Sequence, residues 1–101
     1  MNKRRTPDAR KTEILEAAII VAICSHYRHM TRQEIADQAG ISAPLVTHYF
    51  SSMDSLRTDL MIYAVDQGEA EVVAQGLIDN NVWAMAASDE LKAKAKKTLP
   101  W

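Results

Sequence analysis

Two short helix signals in this sequence are separated by a single glycine, Gly40. Thr31 and Glu34 form a capping box, in which the hydroxyl accepts a backbone N–H and the carboxylate reaches back to the N–H of Thr31. Gly40 can adopt the left-handed conformation that ends a helix, and Ser42 with Pro44 predicts the start of the next helix. The spacing therefore predicts a helix-turn-helix, in which the second helix lies in the major groove of DNA.

The resemblance to a known family extends beyond this turn. The spacing of Ala17-Ala18, Gly40 and Tyr49-Phe50 resembles, without a gap, the DNA-binding domain of the TetR family of transcriptional regulators. The resemblance covers about the first 57 residues and implies an all-α fold. We expect a three-helix DNA-binding bundle over residues 1–57 with a basic N-terminal arm, followed over residues 58–101 by a short helical extension for dimerisation.

The length of 101 residues limits what the chain can contain. A chain of this size buries a modest core, and a second copy is a natural supplement. Members of the TetR family usually carry a ligand-binding helical domain longer than residues 58–101. We therefore expect no small-molecule effector and no cofactor.

Charge is distributed unevenly along the chain. Residues 1–57 contain eight Lys or Arg and six Asp or Glu, whereas the remainder contains four Lys and seven acids. No basic residue occurs between Asp59 and Glu90, so this stretch is suited to face a partner or solvent rather than phosphate. The positive charge is concentrated in the N-terminal arm.

Helix signals recur throughout the sequence. Thr6 can cap a first helix that begins with Pro7 and runs to about Ser25, and its apolar stretch from residue 17 to 23 predicts the central element of a bundle. Cys24 in that helix is expected to be a small core residue. Ser52 predicts a further helix. The helical spacing of the apolar residues is interrupted around residues 67–69, which predicts a kink or a new helix. A last helix is expected from residue 88.

The extension carries more apolar residues than a short tail needs. We interpret this excess as a homodimer interface, with the alternative that the segment folds back and completes the core of a single chain. The expected dimerisation residues are Val72, Val73, Leu77, Ile78 and Trp83.

The resemblance also implies which residues contact DNA. Bases would be approached by the start of the second helix and the first half of the third, which places Gln33, Ser42, Ala43, Pro44, Thr47 and His48 at the major groove. Gln33 can pair with adenine, whereas Ala43 and Pro44 can only pack against a thymine methyl or admit the backbone. Gln33 and Thr47 have the alternative of being solvated helix residues.

Phosphate contacts are expected from Tyr49 and from Thr31 and Arg32 at a helix N-terminus. A tyrosine common in the family at position 47 and a lysine common at position 53 are absent here. Phosphate anchoring therefore shifts to Arg32, Arg57 or the arm, where Arg5 and its basic neighbours either enter the minor groove or remain a solvated terminus.

Other classes of function have weaker support. Cys24, His26 and His29 match no common zinc spacing and have no fourth ligand, so no metal site is expected. No nucleophile elbow or glycine-rich phosphate loop indicates an enzyme. One cysteine and no apolar run of membrane length suit a cytoplasmic protein. The resemblance to the TetR family implies a homodimeric repressor of a palindromic operator, and the alternative is a helical module that binds a protein partner.

Overall fold

The computed structural model describes residues 7–99, which form seven helices and no strand. The helices are α1 (Pro7–Cys24), α2 (Arg32–Ala39), α3 (Ala43–Tyr49), α4 (Met53–Gln67), α5 (Ala70–Ile78), α6 (Val82–Met85) and α7 (Asp89–Lys97). The all-α prediction is confirmed. The expected Thr6 cap lies outside the described residues.

Helix α1 is the central element of the bundle, because α2, α3, α4 and α5 all pack against it. Its inner face, which includes Ile14 and Ala18, is completely buried. Ile20 and Ile23, however, remain 46% and 40% exposed. Cys24 follows Ile20 by one turn and is also exposed, so the prediction that it is a core residue is wrong. The apolar stretch encircles the helix, but neighbouring helices cover only part of it.

The helix-turn-helix has the predicted local structure. The Thr31 hydroxyl accepts the Glu34 N–H at 3.1 Å, and the Glu34 carboxylate accepts the Thr31 N–H at 2.9 Å. Gly40 ends α2 with φ of 72°, where a residue with a side chain would be strained. Ser42 occupies the N-cap of α3 and Pro44 its first turn, but the Ser42 hydroxyl makes no cap hydrogen bond.

Helix α4 connects the two halves of the chain. The Ser52 hydroxyl accepts the Ser55 N–H at its start, and Gly68, with φ of 73°, ends it. A new helix follows, as one of the two alternatives at residues 67–69 predicted. The boundary expected between residues 57 and 58 falls inside α4, whose buried Leu56 and Leu60 lie on either side of it.

Helix α5 belongs to the core of the single chain. Val72 and Val73 are 0% exposed, and α5 packs against α1, α4, α6 and α7. The prediction that these two valines form a dimer interface is therefore wrong, since their side chains are already covered within the chain. Leu77 is half-buried, whereas Ile78 and Trp83 are exposed. The alternative of folding back thus holds for part of the extension.

The last two helices are short and capped. The Asn81 side chain accepts the N–H groups of Trp83 and Ala84 at the start of α6, and the Ser88 hydroxyl accepts the Leu91 N–H at the start of α7. Helix α7 places three lysines in its last turn, where they favour the negative end of the helix dipole. It packs against α5.

Candidate nucleic-acid interface

The segment between α1 and α2 fixes the helix-turn-helix to the rest of the chain. Tyr27 in this segment is buried. Its backbone N–H donates to the Gln75 side-chain oxygen at 2.9 Å, and the Gln75 amide donates to the Ala22 carbonyl at 2.8 Å. One α5 side chain therefore satisfies two backbone groups at the carboxyl end of α1. This contact positions α2, which begins a few residues later.

Arg57 holds the same segment from α4. Its guanidinium donates to the carbonyls of Tyr27 at 3.2 Å and Arg28 at 3.3 Å, and it pairs with Asp54 at 3.2 Å. A guanidinium that is bonded in this way has fewer donors for a phosphate than a free one. The structure thus gives Arg57 a structural role that the sequence did not suggest.

A polar cluster links this segment to the end of α5. The Arg28 guanidinium lies 2.6 Å from the Asp79 carboxylate. Burial alone would raise the pKa of Asp79, but hydrogen bonds from Arg28 and Tyr27 lower that pKa below its ordinary value. Burial and the hydrogen bond to Asp79 raise the pKa of the Tyr27 hydroxyl. Burial lowers the pKa of the neighbouring His26.

An open groove lies beside this segment, where the start of α2, the first half of α3 and the start of α4 meet. We call it the α2–α3 groove. It is lined by Met30, Thr31, Arg32, Gln33, Ala43, Pro44, Thr47, Met53 and Arg57. Seven residues that the sequence singled out for DNA contact, counting the phosphate anchor Arg57, therefore share one surface. Most of them are exposed, and the side chains include donors, acceptors and the positive charge of Arg32.

Within the groove, Gln33 is already oriented by a neighbour. Its side-chain nitrogen donates to the Asp37 carboxylate at 2.7 Å, one turn later on α2. Ala43 and Pro44, on α3, contribute apolar side chains to the same lining. The groove thus pairs an amide with a surface that cannot donate hydrogen bonds.

The remaining predicted contacts lie outside the groove lining. Ser42 and His48 are exposed, and Tyr49 is half-buried against the core. The His48 and Tyr49 rings meet edge to face with centroids 4.9 Å apart. Arg5 lies outside the described residues.

Sequence reasoning missed the two methionines of the groove, Met30 and Met53. Met30 is buried and Met53 half-buried, and both line the groove beside α3. Met30 follows no periodic pattern, because it lies in the segment between helices. Position 53, the first residue of α4, was singled out only for its missing lysine.

The described part of the chain has neither a metal-binding cluster nor a membrane-spanning helix. The His26 and His29 rings lie 5.5 Å apart, but no group of three metal-ligating side chains occurs among residues 7–99. No helix there combines the length and hydropathy that crossing a bilayer requires.

Comparison with known families gives one match, which includes the helix-turn-helix. Residues 14–60 match the family model described as bacterial regulatory proteins, tetR family. This segment is similar to the helix-turn-helix domain of that family. No curated protein and no solved structure matches the chain significantly. The matched segment contains the whole α2–α3 groove, so the similarity includes the surface described above.

Proposed function

We propose that the protein is a homodimeric transcriptional repressor that occupies a palindromic operator. One observation carries the proposal: the α2–α3 groove of the segment that matches the TetR family gathers six exposed or half-buried residues suited to contacting duplex DNA. The recognition helix of a helix-turn-helix places its N-terminal residues at base edges. Here those residues are at the start of α3, on the rim of the groove.

The side chains of the groove divide into two roles. Gln33 offers a donor and an acceptor to adenine, Thr47 offers a hydroxyl to a base edge, and Ala43 and Pro44 pack against a thymine methyl. Thr31 and Arg32 contact phosphate, because backbone N–H groups and a positive charge coincide at the start of α2.

The predicted contacts outside the groove lining have supporting roles in this proposal. The Tyr49 hydroxyl reaches a phosphate, while its half-buried ring packs against the core. Ser42 and His48 approach the DNA from the ends of α3. Arg5, in the N-terminal arm, adds a minor-groove contact.

Dimerisation is assigned to a surface that keeps Ile78 and Trp83 from the residues that the sequence suggested, without the buried Val72 and Val73. Four large apolar side chains are exposed at the end of α5 and on α6: Ile78 (49%), Val82 (70%), Trp83 (45%) and Met85 (48%). We call these residues the α6 surface. Helix α6 packs against α4 and α5, whereas α3 packs against α1 and α2, so dimerisation and DNA contact use different helices. A two-fold dimer would place two copies of α3 about 34 Å apart on one face of DNA.

Repression by occupancy needs no contact beyond DNA. The proposal also needs no small-molecule effector, since promoter occupancy follows protein concentration through dimerisation and binding. The site of action is the cytoplasm, where bacterial DNA is accessible.

Selecting bound sequences from a random DNA pool tests the proposal directly. We expect a two-fold symmetric product, with an affinity that falls steeply with salt at a log–log slope of about 0.9 per neutralised phosphate. Arg32→Ala should weaken binding to all sequences alike and reduce that slope by about one. Thr47→Ala should instead relax preference at one symmetric pair of positions, at a cost of about 1–3 kcal/mol. An enriched pool without symmetry would contradict the dimer, and binding that is unchanged by salt would contradict DNA recognition.

A second candidate is a module that binds a protein partner. The observation that favours it is the exposed side of α1, where Ile20 lies in a shallow depression with the acidic Glu34 and Asp37. Failure to enrich any DNA, together with an intact fold, would favour this candidate over the repressor.

A further inference from the structure

Gln33 lines the α2–α3 groove, and its carboxamide is hydrogen-bonded to Asp37 on the same helix. The two side chains are joined by a hydrogen bond of 2.7 Å between the Gln33 nitrogen and an Asp37 oxygen. Asp37 is absent from the groove lining and borders a separate depression beside Glu34 and Gln38. On the basis of the proposed base-reading role of Gln33, we propose that Asp37 is a positioning residue that orients this carboxamide and thereby sets an adenine preference.

The direction of the hydrogen bond fixes which end of the amide is held. An ionised carboxylate only accepts hydrogen bonds, so it can pair with the nitrogen of Gln33 but not with its oxygen. The alternative orientation, with the amide turned by half a rotation, would oppose two acceptors. The Gln33 oxygen therefore points away from Asp37.

The groups that remain free match one base. The amide nitrogen carries two hydrogens, and one of them is donated to Asp37. One N–H and the carbonyl oxygen are left, which form the donor and acceptor pair that the N7 and N6 groups of adenine require. Guanine presents two acceptors at the same edge and leaves the Gln33 oxygen without a partner.

Without Asp37, the carboxamide would be distributed over several rotamers and both orientations. The hydrogen bond joins side chains four residues apart on one helix, a spacing at which glutamine and aspartate stabilise each other. A binding-competent state that is only partly populated lowers affinity by that fraction. We expect loss of the carboxylate to reduce the preference for adenine by about threefold to tenfold, because a free glutamine side chain has many rotamers.

The test uses the full chain and the operator found by selection. The relevant operator position is the one at which Gln33→Ala loses its preference. Affinities are measured for all four bases there. Asp37→Asn is the near-isosteric variant, whose amide can either accept from or donate to Gln33 and so no longer selects one orientation, whereas Asp37→Glu keeps a group that only accepts. We report the ratio between bases, because removing an acidic charge raises affinity for every sequence alike and cancels in that ratio. Asp66→Asn, on α4, provides the charge-matched control.

The expected result is an adenine preference that is about threefold to tenfold lower in Asp37→Asn, its partial recovery in Asp37→Glu, and an unchanged ratio in Asp66→Asn. In a Gln33→Ala background, Asp37→Asn should no longer alter the ratio. If Gln33→Ala abolishes the preference but Asp37→Asn leaves it intact, the positioning role is refuted and the reading role of Gln33 survives. If Gln33→Ala itself changes no preference at any position, both assignments fail.

Discussion

Replacing Gln75 with alanine should destabilise the whole chain, although Gln75 lies on α5 and is not part of the α2–α3 groove. Its side chain accepts the Tyr27 N–H at 2.9 Å and donates to the Ala22 carbonyl at 2.8 Å. Each hydrogen bond contributes about 0.5–1.5 kcal/mol net, so the pair contributes about 1–3 kcal/mol. The contacts are partly buried, and water will replace some of them, which places the expected loss near 2 kcal/mol.

Urea unfolding followed by far-UV circular dichroism measures this loss. In thermal unfolding, the same change of about 2 kcal/mol lowers the midpoint temperature of a domain of this size by about 10 °C. Gln67→Ala is the matched control, since Gln67 is an exposed glutamine at the end of α4 that bonds to the adjacent Asp66. It should change stability by less than about 0.5 kcal/mol. Equal effects of the two substitutions would show that the Gln75 bridge contributes nothing.

Three further predictions follow from burial and charge. Gly76→Ala places a methyl group 2.7 Å from the Ala84 side chain, so it should cost about 1–3 kcal/mol in urea unfolding despite the better helix propensity of alanine; an unchanged midpoint would contradict this. Val73→Asp should unfold the chain, because it buries a charge in the core, whereas the exposed Trp83→Asp should leave the circular dichroism spectrum unchanged. Trp83→Asp should also make the protein monomeric by light scattering, and a dimeric variant would place the interface elsewhere. Burial lowers the pKa of His26, so its contribution to stability is present above the ordinary value of 6.5 and is lost as pH falls through the lowered pKa; His26→Gln should flatten stability across that window, and an unaltered pH profile would argue against it.

The DNA-binding half could be predicted from the sequence because its signals are local. The Thr31 capping box and the left-handed Gly40 each act over three or four residues, and the structure reproduces both. The gathering of Gln33 and Thr47 in one groove followed from the helix-turn-helix geometry that those signals imply. The Ser42 hydroxyl was the local exception, since it occupies the N-cap position without the cap hydrogen bond.

The extension could not be predicted equally well, because hydrophobic periodicity does not say which surface covers an apolar residue. The sequence pattern of Val72 and Val73 is the same for an interface with a second copy and for the core of one chain. The structure buries both within the chain. Cys24 was misplaced for the converse reason, since an apolar helix can have an uncovered side. The bonds from Arg57 to the carbonyls of Tyr27 and Arg28 join residues about 30 apart, and no local pattern reports such contacts.

The ion pair of Arg28 and Asp79 matters for transfer of the helix-turn-helix segment into another protein. A cassette cut after residue 60, where the family match ends, would lack Asp79 and the α5 amide that bonds to the end of α1. Of the side-chain hydrogen bonds described above for the segment between α1 and α2, those from Arg57 on α4 would remain. A portable unit therefore has to extend through α5, and a fusion partner attaches better beyond that helix than at the edge of the recognisable motif.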